Sequence, residues 1–271
     1  MGKLAIDVLA RGHGWDVADA RCSAGPRDRP FAERHRAMRI AVVVTGSFQY
    51  RSEHGSAVMS PGSVLLGNPG QGFECRHEHG TGDRCVVFEY SPAFFERAGV
   101  AGMFSVPRLP PLTALAPWVV EARRAALAPD SVQFDELAHG LAGAVLKVLG
   151  PNRLAGRPPS AADERRISAV LRFIEATLDE PLRLPQLASI ARMSEFHFLR
   201  VFREVTGVTP HRYVVRARLR EAALRLRTRD DSVLEIALGT GFGDLSNFNH
   251  AFREEFGINP ARFRCGVQRR G

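Results

Sequence analysis

Several absences narrow the classes of protein that this 271-residue chain can represent. No uninterrupted apolar run approaches the roughly 18 residues that span a bilayer, so we expect no membrane partner. The apolar start at Ile6 is interrupted by Asp7 and Arg11, which argues against a secretory signal peptide. Only four cysteines are present and none forms a C-x-x-C pair, which argues against a zinc ribbon or a disulfide scaffold. We therefore expect a soluble, cytoplasmic protein with reduced thiols.

Motifs of common enzyme classes are also missing. The G-x-S-x-G of hydrolases, the H-E-x-x-H of zinc proteases and the phosphate-binding P-loop do not occur. We therefore expect no enzyme activity, no catalytic residue, no metal ligand set and no cofactor.

Lysine is scarce, whereas arginine is abundant. Of the 37 basic residues 35 are arginine, and only Lys3 and Lys147 are lysine. The net charge is +8, of which residues 160–271 contribute +5. A basic chain suits a polyanionic partner, and arginine makes two-pronged contacts with phosphate and guanine. The codon bias of a GC-rich genome would enrich arginine equally, so composition leaves both explanations open.

A segment of thirteen residues occurs twice in similar form, fifty residues apart. Val201-Phe-Arg-Glu-Val-Thr-Gly-Val-Thr-Pro-His-Arg-Tyr213 and Ala251-Phe-Arg-Glu-Glu-Phe-Gly-Ile-Asn-Pro-Ala-Arg-Phe263 share six residues at the same offsets. Two copies are too few for a solenoid and indicate a duplicated small helical unit.

The first half of the chain predicts a small antiparallel sandwich or barrel, because short apolar runs alternate with Gly and Pro turns. Strands are predicted at 40–46, at 47–51 as its hairpin partner, and at 63–66, 71–79 and 83–90, whereas residues 1–37 show weak periodicity. Helices are predicted from Pro92 and at 115–127 and 132–149. The last has an apolar stripe from Phe134 to Val148, which must pack on the preceding helix or on a second copy of the chain.

The second half carries only helix signals after a Pro- and Gly-rich stretch, which predicts a linker at 152–160 between domains 1–151 and 161–271. Two helix-turn-helix units are predicted at about 185–205 and 233–256. The helix between them starts at Pro210 and would be roughly 27 Å long. That length suits two helices placed in major grooves roughly 34 Å apart.

Residues 166–264 resemble the DNA-binding domain of the AraC/XylS family of transcription regulators. The resemblance rests on the segments 207–213, 236–253 and 257–264, which occur in order and with the family spacing. It implies a sequence-specific regulator, more often an activator, that binds double-stranded DNA. RNA polymerase is a further candidate partner.

The resemblance also places the DNA-contacting residues. Arg200 suits guanine, Asn247 or Asn249 suits adenine, and Phe196 and Leu199 either meet thymine methyl groups or only cover the helix. Arg200 could instead form a salt bridge without touching DNA. The full set implied is Ser194, Glu195, Phe196, Leu199, Arg200 and Arg203 in the first unit, and Leu245, Ser246, Asn247, Asn249, His250 and Arg253 in the second.

Residues 31–90 resemble the cupin-like small β-barrel in which many members of this family bind an effector, and the adjoining helices imply a homodimer. The fold class expected is therefore α+β, with an N-terminal cupin-like barrel with helices and a C-terminal all-α double helix-turn-helix domain. His77-x-His79 lacks the glutamate of the metal-binding cupin pattern, which disfavours the alternative of a cupin-like enzyme fused to a DNA-binding module.

A hairpin centred on Gly80 would set Cys75 opposite Cys85 and His77 opposite Asp83, with Phe73, Cys75 and His77 facing inward. Two thiols and an imidazole could bind a soft metal or form a redox pair, which gives a thiol- or metal-responsive regulator as an alternative. The cysteines could equally be small core residues. The default remains a small organic effector, for which the predicted contacts are Arg39, Phe73, Cys75, His77 and Cys85.

Overall fold

The computed structural model describes residues 4–78, 80–97, 103–150 and 160–265. Within these ranges an N-terminal part of ten strands and three helices is followed by a C-terminal part of seven helices. The strands are β1 (Leu4–Gly12), β2 (Trp15–Cys22), β3 (Phe31–Arg34), β4 (Met38–Gly46), β5 (Phe48–Ser52), β6 (Gly55–Met59), β7 (Val64–Gly67), β8 (Gly72–Arg76), β9 (Asp83–Tyr90) and β10 (Arg108–Leu109). The helices are α1 (Pro92–Arg97), α2 (Ala116–Leu127), α3 (Phe134–Leu149), α4 (Ala161–Ala176), α5 (Leu184–Ile190), α6 (Glu195–Thr206), α7 (Pro210–Thr228), α8 (Val233–Gly239), α9 (Leu245–Phe256) and α10 (Pro260–Arg264). The α+β class is confirmed.

The strands form two antiparallel sheets. One has six strands in the order β1-β2-β9-β4-β7-β10, and the other has four in the order β3-β8-β5-β6. The predicted strands at 40–46, 63–66 and 83–90 correspond to β4, β7 and β9. The predicted strand at 71–79 corresponds to the shorter β8, and residue 79 lies outside the described residues. The predicted strand at 47–51 is also present, but its expected pairing is wrong, because β5 pairs with β6 and β8. Gly46, with φ of +78°, turns the chain from one sheet into the other.

The hairpin expected around Gly80 is also wrong. β8 pairs with β3 and β5, whereas β9 pairs with β2 and β4, so the connection between them crosses from one sheet to the other. Cys75 consequently lies opposite Phe31 and Tyr50, not opposite Cys85. Periodicity predicted the two strands but could not show which neighbours they would choose, because pairing is a long-range property.

The strand β4, in the middle of the six-stranded sheet, is buried on both faces, which explains its continuous apolar run. Ile40, Val42 and Val44 belong to the core that also includes the helices α1–α3. Ala41 and Val43 lie in the core shared with the four-stranded sheet. A strand covered on both sides has no polar face, so it shows no alternation.

The apolar stripe of α3 is covered within the chain. Leu137, Leu141 and Val145 are buried in one core with Val119 and Ala122 of α2. The first of the two predicted packing partners, the 115–127 helix, therefore accounts for the stripe.

Local capping signals determine the helix boundaries of the C-terminal part. Ser194 and Asp244 accept hydrogen bonds from the backbone of the first turns of α6 and α9, and Ser232 forms a reciprocal capping box with Glu235. Gly207 ends α6 in the left-handed conformation, with φ of +82°. Of the predicted linker at 152–160, only Ser160 lies within the described residues, where it caps α4.

The two parts of the chain pack on each other through α2 and α7. Ala116 and Val120 of α2 belong to the same buried core as Leu219 of α7 and Phe248 and Phe252 of α9. The second helix-turn-helix unit therefore shares its core with the N-terminal part.

One polar contact of this interface should respond to pH. Glu221 of α7 accepts hydrogen bonds from Arg123 of α2 at 3.0 Å and from Arg225 at 2.9 Å. Burial alone would raise the pKa of Glu221, but the charge of Arg123 and the two hydrogen bonds outweigh it, so this pKa lies below its ordinary value.

A lowered pKa means that ionised Glu221 favours the folded state, so its contribution is complete above the ordinary glutamate pKa of about 4.3 and is lost as the pH falls through the folded value. We expect Glu221→Gln to lower the free energy of unfolding by roughly 1.5–3 kcal/mol at about pH 7, and we expect this gap to shrink as the pH falls below the ordinary glutamate value. Thermal unfolding across this range measures the gap. Glu254→Gln, at an exposed position, should follow the wild type throughout. A gap for Glu221→Gln that stays constant with pH would contradict the assignment.

Candidate DNA-binding surface and ligand cavity

The helix α6 buries one face and leaves the opposite face exposed. Phe198, Val201 and Phe202 are buried in the core of the first unit. Arg200 and Arg203 are exposed, as is Leu199, which is 40% accessible. Because residues three and four apart share a helix face, the spacing of the buried residues determines which side chains point outward.

The helix α9 repeats this arrangement fifty residues later. Phe248, Phe252 and Phe256 are buried. The predicted DNA-contacting residues of this helix are all exposed: Leu245, Ser246, Asn247, Asn249, His250 and Arg253. Arg200 and His250 occupy equivalent positions on the two helices, as do Arg203 and Arg253.

Some of the residues predicted to contact DNA bases already have hydrogen-bond or salt-bridge partners within the chain. Arg200 forms an exposed salt bridge with Glu204 at 2.7 Å, which is the alternative that the sequence left open. An exposed pair of this kind contributes roughly 0–1 kcal/mol and exchanges easily for a phosphate or base contact. Asn247 Nδ2 donates to the capping Asp244 at 2.5 Å. Ser194 is exposed and caps α6, and Glu195 is exposed in the first turn, whereas the side chain of Phe196 lies outside the described part of the chain.

Comparison with known proteins shows what this surface resembles. Residues 187–265 match the profile of a helix-turn-helix domain family. The chain is 34% identical over 103 residues to the probable transcription factor PqrA of Proteus vulgaris. The matched segment covers 37% of this chain and 84% of that protein. It is 38% identical over 98 residues to the TetD protein of transposon Tn10 from Escherichia coli, covering 36% of this chain and 71% of that protein. The chain belongs to the AraC/XylS family of transcription regulators.

As an AraC-type protein it is a DNA-binding transcription regulator. The similarity to longer relatives is partial: the HTH-type transcriptional regulator MtrA of Neisseria gonorrhoeae is 33% identical over 95 residues, which cover 34% of this chain and 32% of that protein. Among solved structures, the DNA-binding domain of AdpA in complex with a target DNA covers 37% of this chain and 91% of that domain, at 32% identity and a TM-score of 0.37. Helices within the described ranges are too short or too polar to cross a membrane.

A cavity of about 460 Å³ lies in the N-terminal part of this regulator. All five residues predicted to contact an effector line it: Arg39, Phe73, Cys75, His77 and Cys85. Further lining residues, which sequence reasoning did not identify, include Cys22, Phe31, His35, Phe48 and Asp83. They come from strands or connections whose place in the fold depends on sheet pairing. Leu4, Ile6 and Val8 alternate along β1 and also line the cavity, and this period-two pattern was the available signal for that strand.

Part of the cavity lining is aromatic, with the cation of Arg39 beside it. His35 stacks on Phe73 with ring centroids 4.2 Å apart, and its Nε2 lies 2.8 Å from the hydroxyl of Tyr50. Burial, with a smaller effect from the charge of Arg39, lowers the pKa of His35 to about 4, so its imidazole is neutral at physiological pH. The Arg39 guanidinium lies 5.9 Å from the centre of the Phe73 ring and pairs with Glu89.

The cavity lining also carries sulfur, imidazole and carboxylate groups. His77 and Asp83 are in hydrogen-bond contact, as the sequence predicted, although they meet through a crossing between sheets and not through a hairpin. All four cysteines are free. Burial raises the pKa of the Cys75 and Cys85 thiols, so they are protonated and weak nucleophiles. This disfavours the redox pair and favours small core residues at these two positions.

Proposed function

We propose that this regulator activates transcription under the control of a small organic effector bound in the N-terminal cavity. The observation that carries the proposal is the cavity itself, in which Arg39 and Phe73 provide a cation and an aromatic face. A volume of about 460 Å³ falls within the range of roughly 300–1,000 Å³ that is usual for ligand sites. An aromatic face beside one arginine suits a planar, anionic or hydrogen-bond-accepting molecule. Activation as the direction of control follows from the family resemblance.

The effector signal can reach the DNA-binding part through β5. This strand pairs with β8, which carries Phe73 and Cys75, and it also carries Gln49. Gln49 Nε2 donates to Glu164 of α4 at 2.8 Å, and Ser56 of β6 donates to the same carboxylate at 3.2 Å. A ligand that moves β8 would therefore change the contacts between β5, β6 and α4. That change would shift the population of arrangements of the two parts of the chain that fit DNA.

On the DNA side, we propose that one chain reads two successive major grooves with α6 and α9. The connecting α7 has 19 residues, or roughly 28 Å. Arg200, Asn247, Asn249 and His250 would read bases, and Arg203 and Arg253 would hold phosphate. The remaining predicted contacts, Ser194, Glu195, Phe196, Leu199, Leu245 and Ser246, complete the two surfaces.

The domain boundaries proposed are 1–151 for a cupin-like effector domain, 152–160 for the linker and 161–271 for the DNA-binding domain. A homodimer and contact with RNA polymerase belong to the proposal through the family resemblance. The apolar stripe of α3 does not support a dimer, since it is covered within the chain. Sedimentation with and without DNA would establish the number of chains bound per site.

Replacing Arg200 with alanine should weaken binding to the specific site by about 1–3 kcal/mol, or roughly 5- to 150-fold. The reason is the loss of a two-pronged guanine contact, which also relaxes specificity at one base pair. Titration of labelled duplexes, one for each substitution of that base pair, measures both effects. Arg165→Ala removes the same charge from an exposed position on α4 and should change affinity little. Equal affinities for Arg200→Ala and the wild type would remove Arg200 from the reading surface.

The whole proposal is tested by footprinting the full chain on DNA from its own genomic surroundings, with and without candidate planar anions. Protection of two adjacent major grooves that strengthens or weakens with one compound is the expected result. If no ligand that fills the cavity changes the protection, the effector proposal is overturned, whereas DNA binding is unaffected by that result.

A further inference from the structure

Three different donor groups converge at one end of the ligand cavity. The thiol of Cys22, the imidazole of His77 and the carboxylate of Asp83 each provide one atom, and these atoms all lie within 4.8 Å of one another. The residues come from three places in the chain. Cys22 ends β2, Asp83 begins β9 as its cross-strand partner, and His77 follows directly after β8.

The backbone around these donors is held by close packing. Gly82 has φ of +68°, and a Cβ atom there would lie 2.2 Å from the carbonyl oxygen of Cys22. Gly46 has φ of +78°, and its Cβ would lie 2.2 Å from the carbonyl oxygen of Gly82 and 2.7 Å from Cα of Asp83. Only glycine fits both positions, so the crossing between the sheets is pressed against the ends of β2 and β4. Donors on such a packed frame keep their relative positions.

The donor set favours one class of ion. Sulfur, imidazole nitrogen and one carboxylate oxygen are the ligands of Zn²⁺ and related borderline metals, whereas Mg²⁺ and Ca²⁺ prefer oxygen alone. Tetrahedral Zn²⁺ with bonds of about 2.0–2.3 Å needs donors roughly 3.3–3.8 Å apart, which small side-chain movements would reach. The Cys85 thiol lies 3.8 Å from Oδ1 of Asp83, where it can orient the carboxylate.

We infer that Cys22, His77 and Asp83 form a three-ligand site for Zn²⁺ or a similar divalent ion, with its fourth coordination position facing the cavity. All three residues line that cavity, so water or a donor atom of a ligand can complete the coordination. On binding, the proton between His77 and Asp83 and the thiol proton of Cys22 are both released to solvent, and the ion takes their place. The site differs from the sequence hypothesis of Cys75, Cys85 and His77, because Cys22 takes the place of both thiols. Metal binding at these residues does not depend on the proposed effector function.

The test uses the full chain without a histidine tag, stripped with a chelator and then titrated with Zn²⁺ alone against a coloured competitor chelator. One equivalent should bind to the wild type and raise its unfolding temperature. Cys22→Ser, which is nearly isosteric, should weaken binding by roughly 100-fold or more, since even outer partners of metal ligands cost roughly 10- to 100-fold. Asp83→Asn should also weaken binding.

The matched controls are Cys75→Ser in the same cavity and Cys265→Ser on the surface, and both should bind Zn²⁺ like the wild type. Titration with Co²⁺ adds a readout of the ligand itself: a thiolate-to-cobalt charge-transfer band should be present in the wild type and in Cys75→Ser and absent in Cys22→Ser. Circular dichroism of the stripped variants identifies any that fail to fold, in which case the cobalt spectrum of the wild type decides. Substoichiometric binding, a missing thiolate band, or wild-type affinity in Cys22→Ser would overturn the inference.

Discussion

Arg216→Ala is expected to lower the free energy of unfolding by about 3–5 kcal/mol, the usual cost of removing one partner of a buried ion pair. Arg216 lies on α7, with 6% of its side chain exposed, and its Nε is 3.3 Å from Glu255 of α9. The same guanidinium donates to the carbonyl of Pro111 and, at 2.5 Å, to the hydroxyl of Thr113. Alanine leaves the charge of Glu255 buried without its principal partner and removes two contacts between the parts of the chain.

Chemical denaturation monitored by circular dichroism measures this cost. Arg212→Ala is the matched control, since it removes the same group one turn earlier from an exposed position of α7. It should stay within about 0.5 kcal/mol of the wild type. Combining Arg216→Met with Glu255→Met should recover much of the loss, because an apolar pair leaves no charge buried. A cost below about 1 kcal/mol for Arg216→Ala would show that this cluster does not hold the two parts together.

Phe252→Ala is expected to cost about 3–5 kcal/mol of stability and to weaken DNA binding with it. Phe252 is fully buried between Phe248, Phe256 and Phe263, with ring centroids 4.5–5.4 Å away. Phe252 packs α9 against the core that this helix shares with α2. A cavity at this position would loosen the helix whose opposite face carries the exposed residues that are predicted to contact DNA.

Because Phe202 occupies the equivalent place in the first unit and is also fully buried, Phe202→Ala should cost a similar amount. Leu238→Ala changes an exposed apolar side chain and should have little effect on unfolding. Denaturation and DNA titration of the three variants at one temperature compare these costs. A change in DNA affinity for Phe252→Ala without loss of stability would place Phe252 on the DNA-contacting face and contradict its role in the core.

Helix boundaries in the C-terminal part could be predicted closely, because their signals are local. The side chain of Ser194, Ser232 or Asp244 caps its own helix within three residues, and Gly207 ends one where only a left-handed residue fits. The spacing of buried phenylalanines then determined which residues of α6 and α9 are exposed. These relations depend on neighbours in the sequence and so can be recognised there.

The sheets of the N-terminal part were only partly predictable. The strands with strong apolar runs were recognised, whereas β1, β2, β3, β6 and β10 were not, and β5 was given the wrong partner. A strand's neighbours are chosen by contacts between distant residues, and a period of two does not specify which edge will pair. For the same reason the sequence predicted Cys75 opposite Cys85, whereas Cys75 lies opposite Phe31 and Tyr50 in the structure.

The sequence by itself therefore determined the family, the duplicated helix-turn-helix frame and which residues of α6 and α9 are exposed, because a repeat, caps and helical periodicity are short-range properties. Tertiary structure alone decided that α2 and α9 share a core, that the chain crosses between two sheets after β8, and that Cys22 lies beside His77 and Asp83. Those contacts join residues tens of positions apart, and their selection depends on how whole sheets and helices pack.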